Sequence, residues 1–220
     1  ILSTSIDENE GFAGVPYEVF IFPGILTMTV LFQSVFYGLY IVWDRKIDFL
    51  KEVLASPLNR STVFLGKCLG GVTDSMIQVT IIIVLGFFIF PNLEYTLQSL
   101  MLVYLYLFLL AVIMTSLGLI IGSRMDSPEG FSLITSLVVF PMYFLSGALF
   151  LKKSLIDEAP IIYWLTAINP ASYAVDAIRY TLIPEDIFLE FGLTTDLTVL
   201  IGFCIFLLAL GTHCFKTMKL

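Results

Sequence analysis

Five stretches of this chain run nearly free of charge for the length a bilayer demands: 19–43, 68–90, 95–123, 130–151 and 197–215, with Asp74 the one interruption. A spanning helix needs about 20 apolar residues, because the hydrocarbon core is about 30 Å thick and each residue rises about 1.5 Å. Inside lipid the backbone must satisfy its own hydrogen bonds, so such stretches read as helices. Hydrophobic residues make up 58% of the chain and charged ones 13%, more apolar surface than a soluble domain of this size hides. The expected fold is an all-α membrane protein, one helical bundle of five spans over 1–220.

The basic residues set the expected orientation. None precedes the first span; Arg45, Lys46, Lys51, Arg60 and Lys67 follow it, Arg124 follows the third, and Lys216 and Lys219 close the chain. The turn at Asn92 has none, and Lys152, Lys153 and Arg179 are diluted in a long stretch where acids outnumber them. The positive-inside rule then places 1–18 and 152–196 outside and the C-terminus in the cytoplasm of a multi-pass plasma-membrane protein. The opening "ILSTSIDENEGFAGVPYE" has no basic residue and resembles neither a signal peptide nor an anchor, so the chain reads as a fragment.

The stretch 159–183 is long enough to be a sixth span. Asn169 and Pro170 interrupt its middle, and Asp176 and Arg179 would each cost about 2.5 to 3.5 kcal/mol at a helix centre. Two short helices at or dipping into the outer surface are expected instead, the second capped by Asn169 with Pro170 first and Pro184 closing it. Asp176 and Arg179, three apart, are expected to pair on one face.

"WDRKIDFLKEVLASPLNRS", from Trp43 to Ser61, is the charged island of the chain. Ile47, Leu50, Val53 and Leu54 recur at helical steps, so 44–56 is expected to form an amphipathic cytoplasmic helix ended by Pro57, with Ser56 or Ser61 capping the next one. Its mixed charge admits two readings, a helix resting on headgroups or a docking element for a soluble partner.

The sequence has no phosphate loop; "GKC" at Gly66 lacks the first glycine and the hydroxyl residue. No zinc-protease or nucleophile-elbow motif occurs, so no catalytic residue, metal site or cofactor is expected in this chain. Cys68, Cys204 and Cys214 read as reduced packing residues, and the net charge of -7 without a basic run argues against nucleic acid. Asp74 within an apolar span is a candidate ion or proton site, or else the partner of Lys67 two turns back. On the first of these, the chain would be an ion- or proton-coupled secondary transporter or channel. Gly66 with Gly70, and Gly118 with Gly122, form small-xxx-small pairs, and Pro141 is expected to kink the fourth span.

Taken in order, Phe20 to Gly71, Phe140 to Phe150 and Ile168 to Tyr180 resemble the membrane domain of ABC-2 type exporters, most closely the drug-efflux, daunorubicin-resistance-like branch. The D-R-K...L-K-E-V-L...P-x-x-R...G-K succession is the most specific part. The family has six spans, and here the first is expected to be missing. Ile47-Asp48 stands where many relatives carry a glycine, a departure expected to stiffen the helix. The resemblance implies a permease subunit that moves a hydrophobic or amphipathic cargo (drug, lipid or lipid-linked sugar) outward by alternating access. It implies as partners a second copy or close relative and a cytoplasmic ATPase subunit that binds the ATP and Mg. Asp44, Arg45, Lys46, Asp48, Phe49, Lys51, Glu52 and Arg60 would form the coupling face, and Met28, Phe32, Phe36, Phe140, Met142 and Phe144 would line the path. Asn169, Pro170, Tyr173, Asp176 and Arg179 would match the family's external segment.

Overall fold

A computed structural model of the chain describes residues 15–55, 58–91, 93–149, 160–183 and 190–217, and among them the regular elements are all helices. In chain order these are α1 (Tyr17–Phe36), α2 (Leu39–Lys46), α3 (Phe49–Ala55), α4 (Arg60–Ile89), α5 (Leu97–Gly122), α6 (Pro128–Phe144), α7 (Pro160–Ile168), α8 (Pro170–Leu182) and α9 (Leu193–Lys216). The expected roles of Ser56, Pro57, Asn92, Lys152, Lys153, Pro184 and Lys219 fall outside the described residues. So do the side chain of Lys51 and most of the first loop.

α5 is the axis of the bundle. Its mean hydropathy of 2.4 leaves it no polar face, and a helix apolar all round must be enclosed. It packs on α1, α2, α4, α6, α8 and α9. Thr96 starts it by accepting the Ser99 amide at 3.1 Å, which satisfies one orphan donor. α1 leans on α4 through the buried pair Ser34 and Ser75, hydroxyl to hydroxyl at 2.7 Å.

The glycine pairs have unequal fates. A Cβ on Gly118 would lie 2.2 Å from the Val35 carbonyl oxygen, one on Gly122 would lie 2.4 Å from that of Gly38, and one on Gly38 would lie 2.1 Å from that of Gly118. These three glycines let α5 and the α1–α2 junction meet backbone to backbone. Gly70 instead accepts the Tyr37 ring, and Gly66 has nothing within 4 Å.

Four segments are long and apolar enough to cross a bilayer: Tyr17–Lys46, Arg60–Ile89, Leu97–Gly122 and Leu193–Lys216. The fourth expected span, 130–151, is helical only to Phe144 among the described residues. At 17 residues α6 reaches about 26 Å, short of the hydrocarbon core. Past Pro141 the chain turns, with Gly147 at φ 76°, a left-handed conformation suited to glycine. α4 begins at Arg60, ahead of the expected start at 68, and Asn59 occupies its cap position in place of Ser56 or Ser61.

The charged island differs most from the single helix expected over 44–56. Asp44, Arg45 and Lys46 form the last turn of α2, and the chain bends at Asp48, whose φ of 59° is rare for a residue with a side chain. α3 then starts at Phe49. Ile47-Asp48 thus leaves a break where stiffening was expected.

Candidate functional site

The bend gathers charge at one end of the bundle. Arg45 donates to the Ser123 carbonyl at 2.7 Å, the Met125 carbonyl at 3.2 Å and the Asp126 carboxylate at 3.0 Å. It thereby ties α2 to the loop between α5 and α6. Lys67 bonds the Asp44 carboxylate, and Arg60 donates to the Lys216 carbonyl at 3.3 Å, closing the end of α9. Three of the eight expected coupling residues, Asp44, Arg45 and Arg60, thus hold their own chain together. Lys46 lies over the Trp43 ring, while Phe49 and Glu52 face outward. Leu50 is the buried anchor of α3.

Arg45→Ala is expected to destabilise the protein by about 1.5 to 3 kcal/mol, since charge-assisted bonds to carbonyls are lost. Asp126→Ala should cost under about 1 kcal/mol, because that carboxylate is 93% exposed. A double-mutant cycle on thermal unfolding in detergent separates the two; equal losses would show the ion pair carrying the contact.

Alongside this end, α1 presents a stripe to the outside between α4 and α6. A groove of about 320 Å³ is lined by Ile25, Met28, Thr29, Phe32, Gln33, Phe36 and Gln78. A second hollow of about 260 Å³ continues it through Gln33, Phe36, Tyr37, Leu39, Tyr40 and Trp43. Phe32 meets Phe140 of α6 edge-on with centroids 5.2 Å apart, and Phe36 meets Phe131 at 6.4 Å. Met28, Phe32, Phe36 and Phe140 are therefore brought together as expected. Met142, two residues beyond Phe140, points to the opposite side of α6 and packs half-buried on the core. Phe144 lies one turn outward and packs on Tyr143.

At the far end of the bundle, α8 is enclosed by α1, α5 and α9 and buried almost throughout, the dipping alternative to a surface helix. Asn169 caps it through the Ala171 amide at 3.0 Å and donates from Nδ2 to the Met142 carbonyl at 2.6 Å. Arg179, 2% exposed, donates to the Gly147 and Ala148 carbonyls at 2.9 and 3.0 Å and sits 4.0 Å over the Phe20 ring. Asp176 accepts the backbone amides of Glu190 and Phe191. The expected Asp176–Arg179 pair is thus replaced by separate partners, because each side chain meets unsatisfied backbone from another segment. Burial pushes the Arg179 guanidinium down to about 10, against the nearby charges of Glu190 and Asp176, so it remains charged at neutral pH. Tyr173 completes the corner by donating to the Ala167 carbonyl at 2.5 Å.

The family model for ABC-2 type transporters matches residues 5–183. The chain belongs to the ABC-2 type transporter family. It is 30% identical over 168 residues to the putative transport permease ycf38 of Cyanophora paradoxa, covering 74% of this chain and 56% of that protein. It is 26% identical over 186 residues to the inner membrane transport permease YadH of Escherichia coli (strain K12), covering 82% and 67%. Against nodulation protein J of Rhizobium leguminosarum bv. viciae the identity is 24% over 181 residues, covering 79% and 66%. The chain spans about half the length of the first curated relatives it matches.

In this ABC-2 chain several residues near the site carried no signal in the sequence. Ile47 and Leu58 expose 69% and 56% of their surface beside α3, and Gln33 and Gln78 put amides into an otherwise apolar groove. Helical periodicity put Ile47 on one apolar face with Leu50; the bend at Asp48 separates them, leaving Ile47 exposed and Leu50 buried. Asp74 does not meet Lys67, which is engaged by Asp44; it stands exposed on α4. Among the described residues no group of three His, Cys, Asp or Glu is placed to hold a metal.

Proposed function

We propose that the chain forms the membrane permease part of an ATP-driven exporter, moving a hydrophobic or amphipathic cargo outward by alternating access. The observation that carries this is the bent α2–α3 arm at the basic end of the bundle, exposing Ile47, Phe49 and Glu52 directly below the aromatic groove. An apolar knob with a charged rim suits a protein partner better than a headgroup layer, whose helices carry a basic polar face. The relatives, named as transport permeases, support the same reading.

In this scheme the partner is a cytoplasmic ATPase subunit that holds ATP and Mg, and the second half of the pore is another copy or a close relative. This chain supplies no catalytic group. The end bearing Arg45, Lys46, Arg60, Lys67, Arg124 and Lys216 faces the cytoplasm of a plasma-membrane protein, the C-terminus with it. Closure of the ATPases displaces α3, and Arg45 passes that motion to the loop that starts α6. Phe140 then moves against Phe32, and the groove changes its opening.

Glu52→Lys tests the interface without touching the internal ties of Asp44, Arg45 and Arg60. The expected result is on the order of tenfold weaker association with the co-expressed ATPase, with normal membrane insertion. Unchanged association and unchanged stimulation of ATP hydrolysis would overturn the assignment of α3 as the docking element.

A further inference from the structure

Asp74 is a carboxylate within a membrane-spanning helix, and among the described residues it has no hydrogen bond or ion pair. Its surroundings are specific. Gly70, Asp74 and Gln78 recur every four residues on one face of α4. The Tyr37 hydroxyl packs on Gly70, and Gln78 lines the groove together with Gln33, so Asp74 stands one helical turn from Gly70 and from Gln78, beside the groove and not in its lining. Gln33 of α1 and Tyr37, the residue that caps its end, are likewise one turn apart.

The nearest basic side chain on that face, Lys67, is engaged by Asp44, which leaves this stretch with one uncompensated negative charge. A bare carboxylate at membrane depth is unfavourable unless a cation or water meets it. The opposite wall is apolar and aromatic, from Phe32, Phe36 and Met28. Below, the Tyr37 and Tyr40 rings pack edge to face with centroids 5.0 Å apart, offering faces that attract a positive charge.

We infer that the groove binds amphipathic organic cations, the apolar body resting on Met28, Phe32 and Phe36 and the cationic head beside Asp74. An anionic headgroup meets repulsion there. A neutral amphiphile gains the aromatic wall and forfeits the carboxylate. The inference rests on the exporter reading for the direction of movement; binding itself does not require it.

The test uses the full-length permease purified with its ATPase in nanodiscs, with rhodamine 6G as the cationic probe and Nile red as the neutral one. Fluorescence anisotropy should show Asp74→Asn weakening rhodamine 6G about tenfold while Nile red changes by less than about twofold, with Asp74→Glu restoring the cation. Among the described residues Asp74 has no partner to lose, so Asp74→Asn should keep the wild-type unfolding temperature. Equal rhodamine 6G affinity in wild type and Asp74→Asn overturns the site, as does a parallel loss of both dyes. Loss of a co-purifying second permease copy in Asp74→Asn would give the carboxylate to that subunit, and also overturns it. ATP-driven efflux from cells is read separately. Rhodamine 6G binding without efflux would sink the exporter reading and leave the cation site standing; Nile red efflux with Asp74-independent binding would do the reverse.

Discussion

Gly118→Ala is expected to lower the stability of the purified protein by about 3 kcal/mol, while Gly66→Ala leaves it unchanged or raises it by up to about 1 kcal/mol. The first Cβ would fall 2.2 Å from the Val35 carbonyl oxygen, with the Val35 carbonyl carbon and Cα both at 2.9 Å. These are backbone atoms in a buried helix, and no rotamer change relieves them. α1 and α5 must separate, and the contacts of Gly38 and Gly122 in the same seam loosen with them. Gly66 has open space around it, so an alanine there only improves helix propensity. Thermal unfolding in detergent measures both, and equal effects at the two positions would refute the seam.

Arg179→Ala carries the second large effect, a loss of about 3 to 5 kcal/mol. Two charge-assisted bonds to the Gly147 and Ala148 carbonyls disappear, together with the contact on Phe20, and a cavity replaces the guanidinium. Arg179→Lys should recover less than half of the loss, because an ammonium cannot match a planar fork that bonds two carbonyls while lying on a ring. Hydrogen exchange should rise in 145–149 before it rises in α5. Melting temperatures and exchange rates close to wild type in Arg179→Ala would show the carbonyls to be satisfied by other means.

Features set by neighbouring residues were legible in the sequence. The Asn169 cap, Pro170 at the first helical position and the lack of charge in the long spans each depend on a few adjacent residues, and each is in place. The structure brings Phe32 of α1 and Phe140 of α6 together, while Met142 packs on the core, because position on the helix, not apolarity, decides where a side chain points.

What could not be read depends on distant partners. Asp176 and Arg179 stand three apart and suggest a local pair, yet their partners are amides 14 and 15 residues onward and carbonyls 31 and 32 residues back. Arg45 looks like a free coupling charge until the loop 78 to 81 residues away closes on it. Two glycine pairs with one spacing differ because the pattern names a small residue and not its neighbour. Asp48 is the intermediate case: the sequence set it inside one continuous helix, whereas its φ of 59° breaks that helix in two.

The bonds from α8 to the end of α6 impose an order on biosynthesis. The carbonyls of Met142, Gly147 and Ala148 receive their donors from Asn169 and Arg179, 27 to 32 residues downstream. At roughly 5 to 20 residues per second, they wait about 1 to 6 s after their own synthesis. During that interval a 17-residue helix too short for the bilayer ends in open backbone, and it cannot settle into lipid alone. The nascent chain must therefore keep α6 in a watery or chaperoned setting until α8 emerges, so the two enter the membrane as a unit.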